Sequence, residues 1–223
     1  MLSSATLDQI PALRSIGPDR LSDLNVRPRL RRYDAGQMVF DRSDDSRDVC
    51  FPISGRLLCV FWTGEGRELV FTRIEPGSYL GQLSAIDNAP RSLTVYAQTV
   101  CQLVIVNQGD FLRLVDSVDS FRTAVLQDLV ALIRQLTDRS YQISALSVDQ
   151  RLRSYLAYIV AQTDDPDAPV PMPTHAEIAN TIGTNREAVS RAISDLKKQG
   201  LIEPGRKSVR FLSREALLDG VFS

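Results

Sequence analysis

Apolar and polar positions change rhythm twice along this chain. The first residues read as short helical turns, punctuated by Pro11 and Gly17. From Val26 the segments VRPRLRRYDAGQMVF, DVCFPISGRLLCVFWT, GRELVFTRI, YLGQLSAI, RSLTVYAQT and CQLVIVN are short and strand-like. Gly36, Gly55, Gly64, Gly66 and Gly77 sit between or beside them as turn residues. Leu69, Phe71 and Ile74 partly alternate, as do Leu103 and Ile105, which suits strands with one face buried and one wet. This rhythm predicts an antiparallel barrel or jelly roll.

After Asn107 the period becomes helical. GDFLRLVD predicts a short helix, and the stretch from Ser120 to Thr163 contains no Pro or Gly. Leu126, Leu129, Ile133, Leu136, Ser140 and Ile143 are spaced three, four, three, four and three, a heptad-like seam. A small β domain cannot cover so long an apolar helix, whereas two copies packed together can. The seam therefore predicts a parallel two-fold dimer. One helix is expected to end and another to begin near Ala145 to Val148. TDDPDAPVPMP reads as a linker that stops the second helix at Thr163.

The C-terminal part carries the most specific local pattern. Thr174 and Glu177 have capping-box spacing ahead of a short helix in which Ile178 and Ile182 share a face. Gly183 supplies a tight turn, and Thr184 or Asn185 can cap the next helix, Thr184 again with capping-box spacing to Glu187. There Ala188, Val189, Ala192, Ile193 and Leu196 point toward a core, while Arg186, Glu187, Ser190, Arg191 and Ser194 point away. Two short helices around a Gly turn, the second with an Arg-bearing face, predict a helix-turn-helix. Leu201–Ile202 and Val209–Phe211 can pair across Pro204–Gly205 as a wing.

Charge sharpens this reading only locally. The 223-residue chain has 26 Lys plus Arg against 27 Asp plus Glu, a formal charge of -1. Between Pro173 and Leu212, however, seven basic residues face four acidic ones. A basic surplus on a small domain suits phosphate contact. Arg186 and Arg191 are the candidates for base edges, because a guanidinium matches guanine O6 and N7. Glu187 can accept from cytosine N4. His175, Lys197, Lys198 and Lys207 are placed for phosphates, and Thr174, Asn185 and Ser190 complete the candidate DNA-facing set.

The other candidate site is YLGQLSAIDNAPRSLTVYAQT. Gly81, Gln82, Leu83 and Ser84 can open a short helix whose amides hold an anion. Arg91 and Ser92 follow Pro90 and offer a guanidinium fork beside a hydroxyl, suited to phosphate oxygens. Elsewhere the chemistry is sparse. Cys50, Cys59 and Cys101 lie far apart, a poor disulfide or metal set, and are expected to be reduced and buried. His175 is the one histidine. Asp44, Asp45 and Asp48 form an acidic loop expected to be solvated surface, and no grouped catalytic set accompanies a pocket, so no enzyme activity is expected. With neither a signal-peptide pattern nor a long apolar run, the protein is expected in the cytoplasm.

In this order the segments resemble the Crp/Fnr family of bacterial transcription regulators over nearly the whole chain. DAGQMVFDRSDDSRDVCFPISGRL is similar to the family's early strands, YLGQLSAIDNAPRS to its phosphate-binding cassette, and EIANTIGTNREAVSRAISDLKKQGLI to its helix-turn-helix. The resemblance implies an α+β protein with an N-terminal antiparallel β-roll or jelly-roll sensor domain at 1–117, a long dimerisation helix at 118–147 and a C-terminal winged helix-turn-helix at 148–223. It implies a homodimer bound to a two-fold-symmetric duplex operator, with RNA polymerase as a further partner for an activator. In cyclic-nucleotide members a Gly and a Glu of the cassette meet ribose and phosphate. The matching positions are Gly81 and Gln82, with Arg91 and Ser92 on the phosphate and Thr137, beside Leu136, nearest to the adenine-contacting position. Gln82 departs from the usual carboxylate. The implied effector is cyclic AMP or another cyclic nucleotide, the alternative being a different effector or none. The cysteine cluster of the family's oxygen sensors is absent, and His175, lying in the DNA-binding part, does not suit haem.

Overall fold

The computed structural model describes residues 2–62, 68–161, 163, 168–206, 208–213 and 215–217. The chain divides into two compact units, 1–131 and 132–223.

The first unit opens with α1 (Ser4–Leu7) and α2 (Pro18–Asp23) and continues through β1 (Arg29–Tyr33), β2 (Met38–Phe40), β3 (Val49–Ser54), β4 (Leu57–Trp62) and β5 (Glu68–Ile74). Then come α3 (Gln82–Asp87), β6 (Thr94–Ala97), β7 (Cys101–Val106), α4 (Gln108–Ser117) and the start of α5 (Asp119–Ala145). All strand pairs are antiparallel, in two sheets of order β1-β7-β3 and β2-β6-β4-β5. The expected β-roll is therefore present.

Strand alternation gives this unit two cores. On β7, Cys101, Leu103 and Ile105 face the space between the sheets, where they meet Tyr33, Phe40, Cys50, Leu57, Cys59 and Val95. Val104 and Val106 face the other way, onto Leu7, Leu13, Phe111, Leu114, Phe121 and Val125 of the flanking helices. A strand buried on both faces reads as a continuous apolar run, which is why CQLVIV carries so little polar signal. The helices are tied on by Asp110, which is buried and accepts from the Arg27 amide (2.8 Å) and from Arg113 (3.0 Å).

The second unit holds the end of α5, then α6 (Val148–Ala161), β8 (Val170–Pro171), α7 (His175–Ile182), α8 (Arg186–Lys198), β9 (Ile202–Gly205) and β10 (Ser208–Phe211). The break between α5 and α6 falls where expected, and Ser147 and Gln150 mark it with a reciprocal cap: the Gln150 amide donates to Ser147 Oγ and the Ser147 amide to Gln150 Oε1. The wing has a third strand. Val170 and Pro171, which the sequence pattern assigns to a linker, pair with Val209 and Ser208 in a sheet of order β8-β10-β9. Leu152, Leu156, Ile178, Val189, Leu196, Ile202 and Val209 form its core.

One position of the predicted seam is corrected. Leu129 is only partly buried by position and packs on the sensor's own helical core, so it belongs to that fold rather than to an open stripe. Ile143 stays exposed at 47% and also neighbours the Gly183 turn of the second unit, where a Cβ on Gly183 would meet its side chain at 3.2 Å. Leu126, Ile133 and Leu136 of the seam are exposed at 56%, 62% and 45%, and Val130, exposed at 49%, falls between the first two at a spacing of four and three.

Candidate effector and DNA-binding sites

Gly81 caps α3 with φ 92°, in the left-handed region, and directs its carbonyl at Arg91. Arg91 is buried. Its Nη1 donates to the Gly81 carbonyl (3.2 Å), its Nη2 to the Asp48 carbonyl (2.8 Å), and its guanidinium lies 4.2 Å from the centre of the Phe40 ring. Its Nε–H, also buried, has no hydrogen-bond partner among the described residues. Burial pulls the Arg91 pKa below its ordinary value, the Cys50 and Asp48 side chains opposing the shift. Burial likewise pushes the Cys50 and Cys59 thiols up to about 12. All three cysteines are buried and free, as expected.

The remaining cassette residues spread out. Ser84 is buried and its hydroxyl is committed to the Pro90 carbonyl (3.3 Å), which ties the helix to the loop preceding Arg91. Gln82 is half-buried, while Leu83 and Ser92 are exposed. Gly81 and Arg91 are thus brought into contact. Thr137 lies in the second unit, on the exposed face of α5, its hydroxyl donating to the Ile133 carbonyl (2.9 Å).

In the second unit Thr174 forms the anticipated capping box with Glu177. Gly183 (φ 69°) ends α7 in the left-handed conformation that such a turn requires. Asn185, rather than Thr184, caps α8, accepting from the Ala188 amide at 2.8 Å; the Thr184–Glu187 box is therefore not the one used. Val189, Ala192, Ile193 and Leu196 are buried, and Arg186, Glu187 and Arg191 are exposed on the opposite side. Arg186 and Arg191 make no ion pair or hydrogen bond among the described residues. Ser190 is half-buried and bonded to His175 Nδ1 (2.8 Å), which joins the start of α7 to the outer face of α8. Lys197 and Lys198 are exposed at the end of α8, Lys198 paired with Asp195 at 3.2 Å. Lys207 lies outside the described residues.

Three interactions that the sequence pattern did not reveal hold this unit together. Arg153, buried on α6, donates to Asp149 (2.6 Å), to Gln199 (2.9 Å) and to the Ala216 carbonyl (3.4 Å). Arg139 reaches the Asn180 carbonyl and Arg151 the Gly183 carbonyl, each at 3.4 Å. The only sequence signal was a set of Arg residues at ordinary helix positions, indistinguishable from solvated charges.

A β-roll with a buried arginine in its helical cassette, followed by a winged helix-turn-helix, defines a sensor-plus-reader transcription regulator. Residues 30–118 match the cyclic nucleotide-binding domain family and residues 150–219 the Crp-like helix-turn-helix domain family. The "Cyclic AMP receptor protein" of Thermus thermophilus is 26% identical over 211 residues, covering 93% of this chain and 94% of that protein. The "cAMP-activated global transcriptional regulator CRP" of Haemophilus influenzae is 26% identical over 188 residues, covering 81% of this chain and 82% of that protein. A solved structure of a putative transcriptional regulator of the crp/fnr family from Eubacterium rectale overlays with a TM-score of 0.69 at 18% identity, covering 97% of this chain and 100% of that one. The chain belongs to the Crp/Fnr family of DNA-binding transcription regulators, with a cyclic-nucleotide-binding-like sensor domain. Among the described residues no helix is long and apolar enough to cross a membrane.

Proposed function

We propose that the chain acts as a homodimer on a two-fold-symmetric duplex operator and that a small phosphate-bearing effector in the sensor sets its affinity for that operator. The parts are then a sensor at 1–117, a dimerisation helix at 118–147 and a DNA-binding domain at 148–223. The observation that carries the DNA reading is the outer face of α8, where Arg186 and Arg191 stand exposed without partners among the described residues. A guanidinium held this way can give both edges of its fork to a guanine. Lys197, Lys198 and Lys207 hold backbone phosphates, and the Ser190 hydroxyl, bonded to His175, joins the DNA-facing set.

The effector reading rests on Arg91. A buried guanidinium with an unsatisfied Nε–H retains donor capacity that an anion can use, at a site where charge-assisted bonds are strong. The residues fit a cyclic phosphate in part. Gly81 and Arg91 are together, and Ser92 is exposed nearby in sequence, but Gln82 offers a ribose hydroxyl an amide in place of a carboxylate. Binding must favour one of two arrangements of the dimer to change DNA affinity; occupancy alone does nothing.

Calorimetric titration with cyclic AMP and cyclic GMP tests this. The wild type is expected to bind weakly, Gln82→Glu more tightly, and Arg91→Ala not at all. Absence of binding by both wild type and Gln82→Glu at millimolar ligand would remove the nucleotide reading and leave the DNA-binding function standing.

A further inference from the structure

One hydroxyl of the reading helix does not bond where helical hydroxyls usually do. Thr137, Ser154 and Thr181 each donate to the carbonyl four residues back, those of Ile133, Gln150 and Glu177. Ser190 of α8 instead places its Oγ 2.8 Å from Nδ1 of His175, the first residue of α7. Both side chains are half-buried, and this is the one hydrogen bond that either makes among the described residues. The other short polar side chains at the two helix starts are committed, Thr174 to Glu177 and Asn185 to the Ala188 amide. Ser190 follows Arg186 by four residues and Glu187 by three, a spacing that puts it on their exposed face.

A hydroxyl has one hydrogen to give and two lone pairs to accept with; a neutral imidazole has one N–H and one bare nitrogen. The tautomer of His175 therefore decides what Ser190 has left. With the proton on Nδ1 the ring donates and Ser190 keeps its hydrogen. With the proton on Nε2 the ring accepts, the Ser190 hydrogen is used up, and only lone pairs remain. The second ring nitrogen makes the choice, because the bond formed by one nitrogen fixes the proton on the other. His175 Nε2 has no partner among the described residues. Duplex DNA held against this face offers it phosphate oxygens, which only accept and so draw the proton to Nε2.

We infer that His175 and Ser190 form one base-reading unit. A phosphate fixes the tautomer of His175, and Ser190 accepts from an exocyclic amino group, adenine N6 or cytosine N4, while turning away the carbonyl edges of thymine and guanine. His175 is a positioning residue that touches the backbone and Ser190 but no base; this rests on the DNA reading above. His175 is the one histidine of the chain, so the imidazole nitrogen NMR resonances of the wild-type protein on its selected operator report this ring alone. They are expected to show a proton on Nε2 and a bare Nδ1; a proton on Nδ1, or on both nitrogens, overturns the inference. Operator binding is the second readout. The position read by Ser190 is the one at which Ser190→Ala loses its sequence preference. Deleting the major-groove amino group of that base pair should weaken the wild type roughly three- to tenfold, the worth of one hydrogen bond, and cost Ser190→Ala nothing. His175→Ala should shrink the cost, since the freed hydroxyl turns its hydrogen to the neighbouring carbonyl. A merely structural or phosphate-holding His175 gives the opposite pattern, weaker binding to every duplex with the cost intact. If Ser190→Ala keeps every preference, if the amino group can be deleted at no cost, or if the cost persists in His175→Ala, the inference is wrong while the DNA reading stands. If no operator is selected at all, the DNA reading falls, and this inference with it.

Discussion

Gly81 shows how much of the cassette is fixed by one residue without a side chain. Its φ of 92° already strains any L residue, and a Cβ there would come within 2.6 Å of both Arg91 Nη1 and the Asp48 carbonyl oxygen. The arginine end can move, but the Asp48 backbone is held in place by the Cys50–Leu80 bridge nearby. Gly81→Ala is therefore expected to destabilise the protein by about 1–3 kcal/mol, the usual cost of such a backbone position, and to displace Arg91. Urea denaturation checks it; an unchanged midpoint would mean that the cassette yields at no cost. The importance of Gly81 and Arg91 was legible in the sequence through the resemblance. The partners of Arg91 were not, because they are backbone carbonyls and leave no trace in residue type. Arg153 was missed for a related reason: at a helix position an arginine that clasps three elements looks the same as one in water.

The long helix was legible as an element but not in its phase. Its apolar residues occupy more than one face, since part of α5 must pack on the sensor core through Phe121, Val125 and Leu129 while another stripe stays open. A spacing count alone cannot separate the two stripes. Exposure does: Leu126, Val130 and Ile133 are open, and Thr137 and Ser140 continue the four-three spacing as exposed residues. Val130→Glu with Ile133→Glu is expected to yield folded monomers in sedimentation, because the charges meet solvent in one chain and each other in two. Leu129→Glu is expected to lower thermal stability instead. A full-strength dimer in the double variant would place the dimer contact elsewhere. The sequence pattern shows two wing strands rather than three, because Val170 and Pro171 lie in a Pro-rich stretch whose composition signals a linker.

For the molecule as a whole, two modules of different chemistry share one long helix. The end of α5 contacts the reader directly: Ile143 lies on the Gly183 turn, and Arg139 holds the Asn180 carbonyl at the end of α7. The turn between α7 and α8 is thus gripped by the same helix that carries the open seam, so a change in α5 packing has a physical route to the reading helix. The order of modules was fully legible, since each keeps its own periodicity. The contacts through which α5 reaches the reader were not, being one apolar side chain and one backbone carbonyl. The most direct test of the account is selection of duplexes from a random library by the full-length protein, with Arg186→Ala in parallel. Enrichment of an inverted repeat is expected, its half-site centres about one helical turn, roughly 34–36 Å, apart. Arg186→Ala is also expected to lower discrimination at one symmetric position by about 1–3 kcal/mol. Recovery of no common sequence, or of a lone asymmetric half-site unaffected by Arg186→Ala, would contradict both expectations.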